Sequence, residues 1–317
     1  MNYKHIHENS IVIDAHSDIP LHMYQNRMKK KRILTETHIP LLKRGEVNIV
    51  FIDLFEELHP EGSLKEAMIQ ISELYGELDN CSDAILIKTK DDLNEVLKGE
   101  KIGFVLSAEG LEFISNEVSM LRVFYELGLR CAMLTWNWRN YLASGTYENG
   151  GLSLMGKEAI KEMNRLGIIV DVSHLNEEGF WDIVAISTKP IIASHSNAKK
   201  ITNHVRNLTD DQIKAIAKTG GVIGLNSYFT SKEGQGKETL ETYMDHMEYM
   251  IETAGEDHVG LGFDFNMYLG SFGAVGLEDC TCIPNVTKEL INRGYKEETV
   301  KKILGGNFVR VLESILP

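Results

Sequence analysis

The sequence predicts an α/β protein of the (β/α)8 TIM-type barrel class, and three observations lead to this prediction. Apolar runs typical of buried strands alternate with helical segments along the whole chain, and eight such alternations can be counted. Proline and glycine interrupt single turns only, so no internal linker divides the chain. Polar side chains of metal-ligand type follow several of the strands. We therefore expect residues 1–317 to form one barrel domain.

The clearest local signal is a β-α-β unit between residues 168 and 206. Two short β-branched runs, Ile168–Val172 and Pro190–Ala193, are each followed within two residues by a histidine, His174 and His195. Between the runs, Asn176–Ile186 carries apolar residues at helical spacing. A parallel unit places both histidines at the C-terminal edge of the sheet. One such histidine would more simply be a packed residue, whereas two in consecutive units favour a metal site.

The other strands and helices are predicted from the same periodicities. The further strands are Ser10–Ala15, Glu46–Leu54, Lys101–Ser107, Leu129–Thr135, Gly221–Asn226 and His258–Gly262. The helices with the clearest apolar face or ends are Ser63–Leu78, Val118–Leu127, Leu154–Leu166, Asp210–Lys218 and Leu240–Ala254. Near the end of the chain, Val286–Leu316 predicts two or three helices with a break at Gly305-Gly306.

Ligand-type side chains follow three other predicted strands. His16 and Asp18 come after the first strand, and Glu109 and Asp264 come after the third and the eighth. Residues two apart in an extended segment point the same way, so His16 and Asp18 can reach one ion. The alternative is a helix-capping aspartate beside a surface histidine. For Glu109 taken alone, a helix cap or a surface charge is the simpler interpretation.

Together, these six residues predict a metal centre with hydrolytic chemistry. Three histidines with carboxylates suit zinc or another first-row divalent ion, and the set is too large for one tetrahedral site. Two ions bridged by a carboxylate fit better, and such a site lowers the pKa of a water between the ions. Barrels of the amidohydrolase type often use a modified lysine as the bridge, but 129–140 contains no lysine. Glu109 is the candidate bridge instead.

Composition excludes some classes of partner. The formal net charge of −13 argues against nucleic acid and against anionic membranes, because phosphate groups would repel the chain. The first residues contain no apolar run of signal-peptide length, and nowhere do 18 apolar residues follow one another. The four cysteines form no C-x-x-C pair, and we expect them to be reduced. We expect a cytoplasmic protein.

Seven short motifs, in order along the chain, resemble the membrane dipeptidase (renal dipeptidase) family of zinc peptidases. They are IDAHSD at 13–18, SAEG at 107–110, DVSH at 171–174, ASHSNA at 193–198, VRNL at 205–208, GLGFDF at 260–265 and GGNFVRV at 305–311. The spacing of 21 residues from His174 to His195, and of 11 from His195 to Arg206, is also similar to the family. Each motif alone is weak evidence for this family, but seven motifs in the same order along the chain are specific for it.

The resemblance implies a barrel, usually a homodimer, that hydrolyses dipeptides and tolerates a D-residue at the C-terminal position. It implies that His16 and Asp18 hold one zinc ion, that His174 and His195 hold a second, and that Glu109 bridges the two. It further implies that Arg206 holds the terminal carboxylate of the substrate, which suits a planar guanidinium, and that Asp264 transfers a proton to the leaving amine.

Two departures from the family pattern concern the substrate. The histidine of the family's LTH motif is replaced in Leu134-Thr135-Trp136, and the family's DFDG appears as 264–267 with Asn266 at its third position. Aromatic residues at a sheet edge usually form walls or lids, and we expect Trp136 and Asn137 to line the substrate site. Trp136 is bulkier than histidine and cannot titrate, so the substrate range is the property most affected.

Two other functions are compatible with the same residues. One is hydrolysis of other amide or lactam substrates, which assays on dipeptides and N-acyl amino acids would separate from dipeptidase activity. The other is a non-catalytic metal-binding relative, against which the complete set of ligand-type residues argues.

Overall fold

The strands of the protein are short, and almost all of their residues are buried. The structure is a computed structural model that describes residues 2–56, 62–99, 101–271 and 273–317. In chain order the strands are β1 (Ile13–Asp14), β2 (Ile49–Leu54), β3 (Ala84–Leu86), β4 (Ile102–Ala108), β5 (Cys131–Met133), β6 (Ile169–Asp171), β7 (Ile191–Ile192), β8 (Ile223–Leu225) and β9 (Val259–Leu261). Most of them are shorter than the apolar runs that predicted them, because the runs continue into buried loops.

Eight of the strands form a closed ring. Parallel pairing joins β1 to β2, β2 to β4, β5 to β6, β6 to β7 and β8 to β9. Parallel bridges join β4 to β5 at Leu106 and Leu129, and β7 to β8 at Ala193 and Ile223. The ring closes where the amide of Ala15 donates to the carbonyl of Leu261, 3.0 Å away. The predicted TIM-type barrel is therefore confirmed.

The helices surround this ring. They are α1 (Tyr3–Glu8), α2 (Ile19–Asn26), α3 (Ile39–Arg44), α4 (Ser63–Leu78), α5 (Lys90–Leu97), α6 (Met120–Glu126), α7 (Leu154–Leu166), α8 (Glu177–Ile186), α9 (Asp210–Lys218), α10 (Leu240–Ala254), α11 (Ile283–Asn292), α12 (Glu297–Lys301) and α13 (Asn307–Ile315). Four predicted helices, α4, α7, α9 and α10, have the predicted bounds. Within the described ranges, no helix combines the length and apolar character needed to cross a membrane.

Side chains alternate between the two faces of each strand, and this alternation separates two apolar cores and directs Asp53 into the ring. Along β2, Val50 and Ile52 pack in the core beneath the helices, whereas Ile49 and Phe51 pack in a second core inside the ring. Asp53 follows on the inward face, two residues after Phe51. The inner core also contains apolar residues of α13, so the last helix packs against the interior of the ring. The C-terminal ends of the strands are left for polar side chains.

Two of the features that differ from the prediction concern the sheet and the end of the chain. The first is β3, which has only three residues, pairs with the beginning of β4, and was not predicted. The second is Gly305-Gly306, which does not break the last helical segment. A π-helical turn over Lys302–Gly306 connects α12 to α13 without interruption. A Cβ atom on Gly305 would lie 2.4 Å from the carbonyl oxygen of Ile11, so this glycine permits close packing rather than ending a helix.

Candidate active site

The structure brings all six predicted ligand-type residues to one face of the barrel. His16 and Asp18 lie after β1, Glu109 directly after β4, His174 after β6, His195 after β7 and Asp264 after β9. Their side chains are buried, apart from that of Asp264, which retains 17% exposure. The parallel ring explains this convergence, because every strand ends at the same rim.

The cluster is centred on the carboxylate of Glu109. Its Oε1 atom lies 2.8 Å from Nε2 of His174 and 3.6 Å from Nε2 of His195. On the other side, Nε2 of His16 is 3.8 Å from the same oxygen and 3.6 Å from Oδ1 of Asp264. The Nε2 atoms of His174 and His195 are only 2.8 Å apart. Three imidazole edges therefore face one carboxylate oxygen.

Three overlapping groups of side chains have the arrangement of a metal site. Within each group the potential ligand atoms lie within 4.8 Å of one another, and the groups are Glu109 with His174 and His195, His16 with Asp18 and Glu109, and His16 with His195 and Asp264. Glu109 belongs to two of the three groups. This is the position that a carboxylate shared by two ions would occupy.

Asp18 does not have the alternative role of a helix cap. It occupies the N-cap position of α2, but its side chain makes no capping hydrogen bond. Its Oδ1 atom is buried and has no hydrogen-bond partner among the described residues. A buried carboxylate oxygen without a partner is costly, and a cation would compensate for that cost. The donor set and this unpaired oxygen therefore fit a divalent metal.

Asp53 is a residue of the site that sequence reasoning missed. It is fully buried near the end of β2, and its Oδ2 atom lies 3.1 Å from Nδ1 of His16. The two atoms do not meet the geometry of a hydrogen bond, so the contact is electrostatic, and it leaves Nε2 of His16 free to bind a metal. The signal in the sequence was an aspartate inside the apolar run IVFIDL. A charged residue is rarely buried in a strand unless it has a polar partner.

The other two histidines are oriented by neutral partners. Oδ1 of Asn137 lies 2.8 Å from Nδ1 of His174, and the hydroxyl of Ser194 lies 2.8 Å from Nδ1 of His195. In both rings Nε2 is thereby directed to Glu109. Asn137 also lines the cavity above the cluster, but its amide oxygen is already bonded to His174.

The surroundings shift the pKa values of the three histidines in different directions. Burial lowers the pKa of His174 and of His195 well below the usual value, and the positive charges of Arg206 and His16 add to this effect. Both rings are therefore neutral, which is the form that binds metals. Burial also opposes charge on His16, but Asp53 and Glu109 raise its pKa well above the usual value.

The carboxylates show the opposite effect. Burial raises the pKa of Glu109 well above its usual range, and repulsion from Asp18 and Asp264 adds to the rise, although His16 opposes it. Burial likewise raises the pKa of Asp18 to about 7 and raises that of Asp264. Several acids in so small a volume are hard to ionise together. A bound cation would remove this penalty.

Two residues of the cluster have a strained backbone. His174 has a φ of 66° and Asp264 has a φ of 62°, which is the left-handed region that residues other than glycine seldom adopt. Such residues cost of order 1–3 kcal/mol and are concentrated at functional sites. The tight turns after β6 and β9 thus direct these two side chains into the cluster at some expense of stability.

Asp264 is held by two amides. Oδ1 of Asp264 accepts a hydrogen bond from Nδ2 of Asn266 over 2.6 Å, and Oδ2 accepts one from Nδ2 of Asn226 over 3.3 Å. Asn226, which follows β8, was not predicted as a site residue. Both partners are neutral donors, so the carboxylate keeps its capacity to accept a proton.

Arg206 is a buried guanidinium with few partners. It is 5% exposed, one weak hydrogen bond of 3.4 Å joins Nη2 to the carbonyl of His195, and its Nε atom has no partner among the described residues. Burial lowers its pKa to about 10, so it is positively charged near neutral pH. A buried cation with free donors is suited to bind an anion.

A cavity of about 280 Å³ lies above the cluster, and we call it the inner cavity. Its polar lining includes Glu109, Asp264 and Arg206, and its apolar lining includes Phe55 and Trp136. The rings of Phe55 and Trp136 meet edge to face with centroids 5.2 Å apart. The volume is at the lower end of the range for ligand sites, so the inner cavity suits a small molecule. Trp136 forms part of its wall.

The fold and the cluster together define a metal-dependent hydrolase with a TIM-type barrel. Residues 1–316 match the family described as Membrane dipeptidase (Peptidase family M19). The chain is 34% identical over 299 residues to dipeptidase tcpJ of Claviceps purpurea, covering 88% of this chain and 69% of that protein. It is 31% identical to dipeptidase verJ of Clonostachys rogersoniana, covering 95% and 76% of the two chains.

Solved structures agree with this assignment. A metallopeptidase from Rhodobacter sphaeroides, liganded with a phosphinate mimic of the dipeptide L-Ala-D-Ala, superposes with a TM-score of 0.91 at 25% identity, covering 97% of this chain and 100% of that chain. A metallopeptidase described as dipeptidase AC superposes with a TM-score of 0.90 at 27% identity, covering 97% and 99%. The chain belongs to the membrane dipeptidase family, and the predicted resemblance is confirmed.

Proposed function

We propose that the protein is a dinuclear zinc dipeptidase that hydrolyses the peptide bond of dipeptides, including those with a C-terminal D-residue. The observation that carries this proposal is the position of Glu109, which is shared by two groups of ligand-type side chains and lines the same cavity as the buried guanidinium of Arg206. The family membership supports dipeptides as the substrate class. The phosphinate mimic of L-Ala-D-Ala in the Rhodobacter sphaeroides relative supports the tolerance for a D-residue.

In the proposed centre, His16 and Asp18 would hold one ion, His174 and His195 would hold a second, and Glu109 would be the ligand that both share. Neutral imidazoles and carboxylates are the donors that zinc accepts. When bound, two such ions lower the pKa of a water between them and polarise a substrate carbonyl.

Arg206 determines the orientation in which the substrate binds. Its free N–H groups bind the terminal carboxylate, and the peptide carbonyl then lies over the cluster in the inner cavity. The small volume of the inner cavity favours a substrate with one peptide bond. Trp136 and Phe55 exclude water from one side of the bond.

Asp264 carries the proton. When water adds to the peptide carbonyl carbon, a water proton passes to Asp264, whose carboxylate is positioned by Asn226 and Asn266. The same proton then passes to the amide nitrogen as the C–N bond breaks. The products are two free amino acids.

A second candidate is hydrolysis of other amide or lactam substrates at the same centre. The observation that favours it is Trp136 in the wall of the inner cavity, where the family motif has a histidine. A wall without that polar side chain suits substrates with an apolar acyl group.

A kinetic screen with the zinc-loaded enzyme distinguishes these functions. We expect L-L and L-D dipeptides to be cleaved, and N-acyl amino acids and dipeptide amides to be poor substrates. Preference for N-acyl amino acids would favour the second candidate. Elemental analysis of the same preparation tests for two zinc ions per chain.

Three further properties stay predictions of the sequence. They are a single domain over 1–317, a homodimer and a cytoplasmic location. Light scattering of the purified protein tests the homodimer.

A further inference from the structure

A second and larger cavity lies beside the inner cavity, and we call it the outer cavity. It has a volume of about 510 Å³ and lies between the loops that follow β6 and β7, next to the first turns of α8 and α9. Among the described residues, the two cavities share only His174 and Arg206 in their linings. The outer cavity is therefore reached from the reaction site at the guanidinium.

We infer that the outer cavity is the subsite for the side chain of the substrate's C-terminal residue, and that it favours a cationic side chain, that of lysine or arginine. This inference rests on the proposed function, because Arg206 must hold the C-terminal carboxylate. The α-carbon is bonded directly to that carboxylate, so the side chain of the same residue begins beside the guanidinium. The N-terminal residue stays in the inner cavity.

The buried Arg206 is a further sign that a ligand binds here. It is only 5% exposed, it lines both cavities, and its Nε atom has no partner among the described residues. Unpaired buried donors are rare in folded proteins unless a ligand completes them. The outer cavity therefore offers a ligand both a charged binding group, the guanidinium of Arg206, and enough volume for a side chain.

The charges of the lining favour a cation. Glu148, Glu177 and Glu178 line the outer cavity, and besides Arg206 its only cation among the described residues is Lys199. A bound carboxylate neutralises Arg206, which leaves three negative charges against one positive charge. Trp181 also lines the cavity, and an aromatic face attracts a cationic side chain.

The size of the effect is limited by exposure. Glu177 and Glu178 lie in the first turn of α8 and are exposed, so water and salt screen their charge. For exposed ion pairs of this kind we expect a preference of up to about fivefold in kcat/KM. Ala-Lys should therefore be cleaved up to about fivefold faster than Ala-norleucine at low salt, and the difference should shrink as salt is added.

The test compares these two substrates, which have similar side chains but differ in charge. In the double variant Glu177→Gln/Glu178→Gln, the ratio of kcat/KM for Ala-Lys to that for Ala-norleucine should fall towards one. The matched control is Glu297→Gln/Glu298→Gln, which removes two glutamates from the first turn of α12 and should leave the ratio unchanged. Because each ratio is measured on one preparation, a change in the folded fraction cancels.

The outcomes separate the two proposals. Cleavage of Ala-Ala with equal rates for Ala-Lys and Ala-norleucine would overturn the subsite and leave the dipeptidase function standing. A preference for Ala-Lys that survives in the double variant would also overturn the role of these glutamates. Failure to cleave any dipeptide, Ala-Ala included, would overturn the proposed function and the subsite together.

Discussion

Replacement of Asp264 by asparagine tests the central step of the proposed mechanism. Asparagine has nearly the same shape as aspartate, but it cannot take up a proton at neutral pH. It also tolerates the left-handed backbone at this position, where φ is 62°, whereas alanine would add a strain of roughly 1–2 kcal/mol. The substitution therefore removes the proton carrier while retaining the local backbone.

The hydrogen bonds around Asp264 show that the variant can fold. Asn226 must keep its orientation, because its Oδ1 atom accepts a hydrogen bond from the amide of Tyr228 over 2.7 Å. The new side-chain oxygen can accept from Asn226, as Oδ2 does now. The new amide group would face Asn266, whose own Oδ1 has no partner among the described residues and can turn to accept. Both hydrogen bonds are thus replaced.

We therefore expect Asp264→Asn to lower kcat by roughly 10²–10⁴, the usual contribution of a general acid–base group, with little change in stability or metal content. Steady-state kinetics, elemental analysis and thermal unfolding of one preparation provide the three readouts. Asn266→Ala is the matched control, since it removes a neighbour that cannot titrate, and its effect on kcat should be comparatively mild. A metal-replete Asp264→Asn enzyme with near-normal turnover would show that the proton travels by another route.

Three more variants test the metal centre and the substrate anchor. Glu109→Ala should reduce the metal content below two ions per chain and abolish activity, and full activity with this variant would refute the bridge. Asp53→Asn should weaken metal binding by about 10–100-fold through His16, as chelator competition would measure, while an unchanged affinity would limit Asp53 to a structural role. Arg206→Lys should raise KM for dipeptides by about 10–100-fold, since a bidentate charged contact is lost. Equal hydrolysis of dipeptides and their amides would contradict the role of Arg206.

Several helices and the six ligand-type residues could be predicted because both depend on local pattern. The helix α9 begins after Thr209, whose side chain and that of Gln212 form a capping box, and this signal is contained in a few adjacent residues. His174 and His195 could be assigned to one rim because parallel strands end on the same side, whatever their exact packing. Residue type and topology were sufficient for these conclusions.

Other features depend on contacts between distant parts of the chain. β3 is too short to have a periodicity of its own, and it exists because β4 offers a pairing edge. Gly305 was expected to break a helix, but the neighbouring carbonyl of Ile11 gives it a packing role instead. Propensity describes a residue in isolation, so a partner almost 300 positions away in the chain overrides it.

The sequence by itself determined the barrel class, the family and the side chains that gather around Glu109, because alternating apolar runs and ordered motifs are local properties. Only the tertiary structure decided that Asp53 supports His16, that Asn226 and Asn266 hold Asp264, and that Arg206 separates an inner from an outer cavity. The physical reason is that burial, hydrogen-bond partners and cavity volume arise where loops from different strands meet. The closure of the ring determines which loops contact one another, and this closure cannot be inferred from any single segment of the chain.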